Sequence, residues 1–348
     1  MKRLLFCILA VVLVLGLGGV SLAEVSIRGN VTLETSWGVY DDDWAGGDGY
    51  VGLHALTDND GSTLCVEWTS DDDRFGAVLE IGLSDLAGGD AVETSLAFFT
   101  YTWDSGSILF GQDDSISDAV GPSQTLDAAA AIEGFGNSTL ATNGKVSLSL
   151  GEEYKFIFAL EDPYRGDVWG GTGQVFHTIP GLSAAAEISA GSVLIHPWVH
   201  YEHTQWENGT DSDAYNSLDM GLEIEGDFGL YGFAVGVNYG LNTAQNGVVV
   251  SADPVLDAAG KVDGDVSQLG YWGELRIGGA ALGCGRAQAD RTDWAETAYT
   301  QAVYANYAIE FGQATFVPEI VWFDNGEDGS GADMGSAFLF GLVASLEF

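Results

Sequence analysis

The stretch LDMGLEIEGDFGLYGFAVGVNYG, residues 218–240, decides the fold class of this chain. In its first half Leu218, Met220 and Leu222 alternate with acidic residues and a glycine, and in its second half large apolar residues alternate mainly with small ones. Alternation with a period of two is typical of β-strands that have one apolar and one polar face. Gly226-Asp227 separates the two segments, so the stretch predicts two consecutive strands joined by a short turn.

The same alternation recurs along the rest of the chain, which indicates an all-β fold. Helical periodicity is nearly absent, apart from an alanine-rich stretch at 127–133. We predict sixteen strands, at residues 24–37, 62–70, 74–83, 92–103, 106–112, 144–151, 153–162, 175–190, 193–205, 216–226, 228–241, 265–278, 280–290, 297–311, 313–324 and 335–348.

The chemistry of the two strand faces separates a membrane barrel from a soluble sandwich. In a sandwich the apolar faces meet inside, whereas in a membrane barrel they face lipid and the inner face is polar. Here the polar face carries charges and glycines, and each strand is about ten residues long, as membrane barrels require. Tryptophans lie near strand ends, where interfacial girdles place them: Trp37, Trp68, Trp103, Trp272 and Trp322. The sequence therefore predicts a transmembrane antiparallel β-barrel, with a secreted β-sandwich as the alternative.

Short and long connections alternate between the predicted strands. The long connections are 38–61, 84–91, 113–143, 163–174, 206–215, 242–264, 291–296 and 325–334. Residues 50–56 could form a further strand, but we assign them to the first long connection because the alternation otherwise fails. Tight turns at one end and extended loops at the other are typical of outer-membrane barrels, and an even strand number places both termini at the turn end.

Composition limits the partners of the chain. It has 51 acidic and 11 basic residues among 348, a formal net charge of −40. Such a negative field repels phosphate backbones, so we expect no binding to nucleic acid. Three cysteines are too few for a disulfide-dense scaffold. Alternation places Cys65 and Cys284 in the lumen on well-separated strands, so we expect two free thiols.

The first 23 residues are typical of a signal peptide. Met1-Lys2-Arg3 is positively charged, 4–20 is apolar, and Ser21-Leu22-Ala23 supplies small residues before a cut at Glu24. We therefore expect a cleaved, exported chain whose residues 24–348 form one barrel domain.

A resemblance to a known family emerges at the last predicted strand, where Phe338, Phe340, Leu342, Ala344, Leu346 and Phe348 alternate. A strand that ends in this way resembles the signal that Gram-negative outer-membrane proteins present to the barrel-assembly machinery. With its order of connections, the chain after residue 23 resembles the general porins, which are trimeric and sixteen-stranded. Segments 75–82 and 93–112 are especially similar to porins of sulfate- and metal-reducing bacteria.

This resemblance implies a location, partners and a constriction. It implies an outer-membrane barrel embedded in lipid, a homotrimer, and an assembly role for Phe348. The third outer loop of such porins folds into the pore, and its counterpart here is 113–143. The chain departs from the family in one respect, because porin constrictions set a basic cluster opposite the acidic loop and basic residues are scarce here.

The residues of this predicted pore favour cations. We expect a water-filled channel for passive diffusion of small hydrophilic solutes and ions, with cation selectivity, because rings of acid attract cations and repel anions. The wall candidates, which alternation points inward, are Arg28, Glu80, Lys155, Arg276 and Arg286. Alternation also points further acids inward, which we expect to line the wall: Glu34, Glu67, Glu223, Glu225, Glu274, Glu310 and Glu319. The loop candidates are Asp113, Asp114, Asp118, Asp127 and Glu133.

Other chemistry has weaker support in the sequence. His196 and His200 would lie about 13 Å apart on one strand, too far to share a zinc ion, so we expect no metal site there. Acidic fragments at 58–61 and 324–328 lack a complete calcium loop, and we expect at most loosely bound Ca²⁺ or Mg²⁺ at outer loops and no cofactor. No catalytic motif occurs, so we predict a non-enzyme; the alternatives are an outer-surface barrel enzyme and a secreted adhesin or lectin.

Overall fold

The computed structural model describes most of the chain after residue 23. The described ranges are 24–41, 51–58, 62–82, 93–116, 120–125, 143–152, 154–162, 174–177, 179–208, 211–242, 255–256, 262–264, 266–292 and 294–348. The regular elements within these ranges are all β-strands. None of the described segments forms a helix of the length and apolar character needed to cross a membrane.

Twenty-one strand segments follow one another along the chain. They are β1 (Glu24–Tyr40), β2 (Val51–Asp58), β3 (Thr63–Thr69), β4 (Phe75–Gly82), β5 (Glu93–Trp103), β6 (Gly106–Asp113), β7 (Asn143–Leu150), β8 (Tyr154–Glu161), β9 (Gln174–His177), β10 (Gly181–Ala190), β11 (Val193–Asn208), β12 (Asp211–Asp227), β13 (Tyr231–Leu241), β14 (Val255–Leu256), β15 (Val262–Gly264), β16 (Val266–Ile277), β17 (Ala280–Arg291), β18 (Ala298–Tyr307), β19 (Ile309–Phe311), β20 (Ala314–Asp324) and β21 (Ser336–Glu347).

These segments form a closed antiparallel barrel of sixteen wall strands. The ring closes because β1 pairs with β21 along 30–40. Three wall strands each consist of two segments: β2 with β3, β9 with β10, and β18 with β19. Segments β14 and β15 form a separate small hairpin. The predicted sixteen-stranded barrel is confirmed, and its closure into one ring excludes the sandwich.

Two predicted connections are wrong. The segment that we assigned to the first long loop is largely strand β2, which pairs with residues 33–39 of β1. Because β3 pairs with residues 24–30 of the same strand, β2 and β3 together form one wall strand. Short turns and long loops therefore still alternate around the barrel. The predicted loop 206–215 is mostly strand as well, since β11 and β12 remain paired as far as Asn208 and Asp211.

The outward and inward faces of the wall differ in chemistry. On β8 the outward Phe156, Phe158 and Leu160 are each about half exposed, at 50–52%. The inward Ile157 and Glu161 are buried. Large apolar side chains therefore cover the outside of the barrel, and polar or charged side chains pack inside it, as a membrane barrel requires.

Strand β17 faces the opposite way from our prediction. Leu282 is 56% exposed, and Cys284 and Arg286 lie on the same outward face, while Ala281 and Ala287 are buried inside. We had placed Cys284 and Arg286 in the lumen, and both assignments are wrong. The alternation on this strand is weak because its inward residues from 281 to 289 are all Ala or Gly. These small residues face inward because aromatic rings of neighbouring strands fill the space beside them; a Cβ on Gly283 would overlap the Tyr304 ring.

The two rims of the barrel have different connections. At one rim, which we call the turn rim, neighbouring strands are joined by tight turns such as Gly278-Gly279. The other rim, the loop rim, carries the long connections. The seam between β1 and β21 ends at the turn rim, where the backbones of Gly29 and Phe348 exchange hydrogen bonds of 2.9 and 3.0 Å and the Phe348 ring covers Gly29.

Candidate functional site: a loop segment anchored on the inner wall

The connection after β6 enters the barrel and lies against its inner wall. The structure describes residues 113–116 and 120–125 of the predicted constriction loop 113–143. We call residues 120–125 the anchored segment. The remainder of the loop, including Asp118, Asp127 and Glu133, lies outside the described residues.

The root of this loop is held by a buried lysine of β7. Lys145 Nζ donates a hydrogen bond to the backbone carbonyl of Asp114 and lies 3.4 Å from Asp113 Oδ2. Two residues further on, the backbone carbonyl of Ile116 lies 3.0 Å from Nε2 of His196 on β11. The connection therefore turns inward directly after β6 and reaches β11.

Three buried glutamates hold the anchored segment. Glu223 on β12 accepts a hydrogen bond of 3.1 Å from the Val120 amide. Glu274 on β16 accepts from both the amide (2.7 Å) and the hydroxyl (2.9 Å) of Ser123. Glu319 on β20 likewise accepts from the amide (2.9 Å) and hydroxyl (3.0 Å) of Thr125. Hydrogen bonds to ionised carboxylates are short and strong, so these contacts fix the backbone of the segment.

Further wall residues support the same anchors. Arg276 forms ion pairs with Glu274 and Glu225 and donates a hydrogen bond of 3.3 Å to the Gly121 carbonyl. The Tyr304 hydroxyl also donates to Glu274. Asn306 donates to Glu319 at 3.1 Å and to the Ser123 carbonyl. The charge of Arg276, which we predicted to line the pore, is therefore neutralised by two carboxylates behind the anchored segment.

Aromatic rings lie flat against the wall on this side of the barrel. Trp272, which we predicted to lie in an interfacial girdle, instead lies inside the barrel and covers Gly236, because the small glycine leaves room for its ring. Tyr304 covers Gly283 in the same way, so closely that a Cβ at either glycine would overlap the ring. Both aromatic residues are buried, at 4% and 1% exposed. These glycines of the polar face therefore leave room for aromatic rings.

A second buried cluster lies on β8, β10 and β11. His200 lies between Glu161 Oε2 (3.2 Å from Nδ1) and Glu202 Oε1 (3.0 Å from Nε2), and Ser183 Oγ is 2.6 Å from Nδ1. These residue types resemble a nucleophile–base–acid set, which the sequence did not reveal because they come from three strands. Ser183 is only 6% exposed and is also bonded to Glu161, so a substrate has no access to its hydroxyl. We interpret the cluster as a structural cross-link of the wall.

Strands β1 and β4 carry two further predicted pore residues, Arg28 and Glu80. Arg28 on β1 forms an ion pair of 2.6 Å with Glu67 on β3. Glu80 on β4 lies directly opposite Cys65 and is close enough to Asp114 of the loop for the two acids to repel each other. Among the described residues, Glu80 has no hydrogen bond or ion pair of its own. A recess of about 360 Å³ beside these residues is lined by Arg28, Cys65, Glu80 and Glu347.

The structure thus separates the predicted site residues into groups. Arg28, Glu80 and Asp114 come together on one side of the barrel, and Asp113 belongs to the loop root. Lys155 faces inward and is paired with Glu187 at 2.7 Å. Sequence reasoning placed Glu223, Glu274 and Glu319 on the inner wall as pore-lining acids but missed their role as anchors, because their partners lie more than a hundred residues away along the chain.

Acidic fragments of the loop rim hold their own backbone. Asp324 accepts a hydrogen bond of 2.8 Å from the Gly326 amide. Asp328 accepts from Ser330 and Ala332, and these bonds hold the pKa of Asp328 below its usual value. Within the described part of the chain, no three metal-ligating side chains converge. The weak Ca²⁺ or Mg²⁺ binding that we expected at outer loops remains a prediction.

Comparison with known proteins supports the barrel fold. No family model and no curated protein sequence matches the chain. Among solved structures, the outer membrane channel DcaP of Acinetobacter baumannii has a TM-score of 0.72 at 16% identity, over 94% of this chain and 97% of that chain. An anion-selective porin from Comamonas acidovorans has a TM-score of 0.64 at 12% identity, over 94% and 100%. The outer-membrane expressed OmpT of Vibrio cholerae has a TM-score of 0.60 at 12% identity, over 94% and 99%.

Proposed function

We propose that this protein is an outer-membrane channel that lets small hydrophilic solutes and ions diffuse passively, with preference for cations. The membrane location is supported by the apolar outer face, and the channel by the similarity of the fold to that of porins and outer-membrane channels. A homotrimeric state and contact with the barrel-assembly machinery are further parts of this proposal, which derive from the resemblance to trimeric porins. The loop rim faces outward and the turn rim faces the periplasm in this orientation.

The charge distribution inside the barrel carries the proposed selectivity. Four inward-facing basic residues have carboxylate partners: Arg28 with Glu67, Lys145 with Asp113, Lys155 with Glu187, and Arg276 with Glu225 and Glu274. Glu80 and Asp114 lie close enough for their charges to repel each other where the loop leaves β6, and Arg28, which is also near Glu80, is paired with Glu67. A unit charge about 4 Å from an ion is worth roughly 4 kcal/mol at an effective dielectric of 20, so this pair should favour cations.

Reversal potentials across a KCl gradient in planar bilayers test this proposal. We expect the wild type to prefer K⁺ over Cl⁻ several-fold at low salt and to lose most of that preference near 1 M, where the Debye length is about 3 Å. The double variant E80Q/D114N should lose about half or more of the preference at low salt, because both repelling charges are gone.

The matched control is E152Q, which removes an exposed acid at the turn rim. It should leave the reversal potential within error of the wild type. The Comamonas porin with a similar fold is anion-selective. An anion preference in the wild type of this protein would contradict the proposed cation selectivity but not the proposed channel function.

The proposed assembly role of Phe348 rests on the seam at the turn rim. Phe348→Ala removes the ring that covers Gly29 and should lower the yield of folded barrel in the outer membrane several-fold, without affecting the processing of the signal peptide. Phe311→Ala is the control, since Phe311 lies at the same rim and is 79% exposed. Equal yields for the two variants would show that the seam contact has no special role in assembly.

A further inference from the structure

We propose that Arg286, with the tyrosines beside it, forms a binding site on the outside of the barrel for the phosphate of an outer-leaflet lipid headgroup. The inference rests on the proposed membrane location and orientation but not on conduction.

The outward face of β17 changes character at Arg286. Towards the turn rim this face carries Leu282 and Cys284, which are exposed. Towards the loop rim the outward positions are Gln288 and Asp290. An apolar belt about 25 Å tall covers the lipid-facing side of such barrels, and polar side chains begin where it ends. Arg286 therefore marks the boundary between the acyl chains and the headgroups on the loop-rim side.

Aromatic residues at the same level support this boundary. Tyr271 on β16 lies directly opposite Arg286 and is 44% exposed. The guanidinium carbon of Arg286 lies 4.2 Å from the centre of the Tyr299 ring on β18. Trp322 faces outward one strand further on, two residues before the end of β20. Rings of tyrosine and tryptophan are typical of the headgroup level of outer-membrane barrels.

The guanidinium of Arg286 has no anionic partner within the described part of the chain. It forms no ion pair or hydrogen bond there, and its Nε atom is buried without a partner. Two outward acids on this side of the barrel form hydrogen bonds with other residues: Asp290 accepts from Thr297, and Asp324 accepts from Gln301 at 3.0 Å. Arg28, Lys145, Lys155 and Arg276 on the inner face contrast with it, since each of these four has a carboxylate partner.

The chemistry of this position fits a phosphate. A guanidinium presents a planar set of donors that matches phosphate oxygens in pairs, and stacking on Tyr299 fixes its plane. The chain has a net charge of −40, so most of its surface repels anions. The positive charge of Arg286 attracts an anion locally at the level of the headgroups. The outer-leaflet headgroup supplies such a phosphate at the depth where Arg286 lies.

Native mass spectrometry of the purified barrel in detergent, titrated with bis-phosphorylated lipid A, tests this site. The dephosphorylated form of the same lipid is the paired probe. We expect the wild type to bind the phosphorylated form about tenfold more tightly, and R286Q to lose that difference because it loses a charge-assisted interaction. R286K should keep part of it, since lysine keeps the charge but not the planar donor geometry.

The control is R74Q, which removes another exposed arginine at the turn rim, far from the loop-rim headgroups. It should bind as the wild type does. Equal binding of phosphorylated lipid A by R286Q and the wild type, or an equal loss in R74Q, would overturn the proposal. Single-channel conductance measured on the same samples should be unchanged in R286Q, which separates this result from any failure of the proposed channel function.

Discussion

Replacing Glu274 and Glu319 together with alanine is expected to detach the anchored segment from the wall and to change the single-channel conductance by at least about a factor of two. The double substitution removes four hydrogen bonds from Ser123 and Thr125 to ionised carboxylates. Each such bond is worth about 1.5–3 kcal/mol. A combined loss of several kcal/mol is enough to invert a two-state equilibrium between wall-bound and detached segments.

Single-channel recordings in planar bilayers measure this effect, which should also appear as increased current fluctuations. The barrel itself should persist, because Arg276 keeps Glu225 as its ion-pair partner in the variant. The matched control is E225A, which removes an acid paired with the same arginine but without a contact to the segment among the described residues. If the double variant folded and conducted as the wild type does, the three-glutamate anchor would not hold the loop in the membrane.

Gly283→Val should produce the largest loss of stability among single substitutions of the inner wall. A side chain at this position displaces the Tyr304 ring, which donates a hydrogen bond to Glu274. Overpacking costs about 1–3 kcal/mol and the loss of a hydrogen bond to a charged group about 1.5–3 kcal/mol, so we expect a free energy of unfolding lower by about 3 kcal/mol or more.

Urea unfolding of the purified barrel, followed by tryptophan fluorescence, gives this free energy. Gly273→Val on the neighbouring strand is the control. Gly273 faces outward, and an added Cβ there would meet only Val235 at 3.5 Å, which is ordinary contact. A smaller loss for Gly283→Val than for Gly273→Val would show that the tyrosine ring moves aside without cost.

The positions of most wall strands could be predicted because large apolar residues must alternate where lipid covers one face. Strand β21, with Phe338, Phe340 and Leu342 outward, is the clearest example, and its predicted range 335–348 matches the observed strand closely. Strand β17 could not be oriented in the same way, because its inward residues are small and its outward residues include Cys284 and Arg286. Alternation fixes a strand's position even when it does not fix which face is which.

The roles of the inward acids could not be predicted from their positions. Alternation placed Glu80 and Glu274 on the same polar face, and their spacing does not distinguish them. Glu274 holds a loop residue 151 positions away, whereas Glu80 has no such partner among the described residues. Contacts of that sequence separation depend on the path of the loop inside the ring, which no local pattern encodes. Far fewer acidic side chains in the lumen can therefore be without a hydrogen-bond or ion-pair partner than the number of inward acids in the sequence indicates.

The anchored segment also has a mechanical consequence for the cross-section of the barrel. From Val120 to Thr125 the chain can extend at most about 18 Å. The strands that hold its two ends, β12 and β20, are five strand intervals apart, about 24 Å along the wall. The glutamate side chains cover the difference, so the segment links distant parts of one arc. A closed sheet resists stretching along its hydrogen-bonded rows but flattens easily into an ellipse. A tie across the arc opposes that flattening, so the barrel should keep its round shape under lateral pressure from the bilayer.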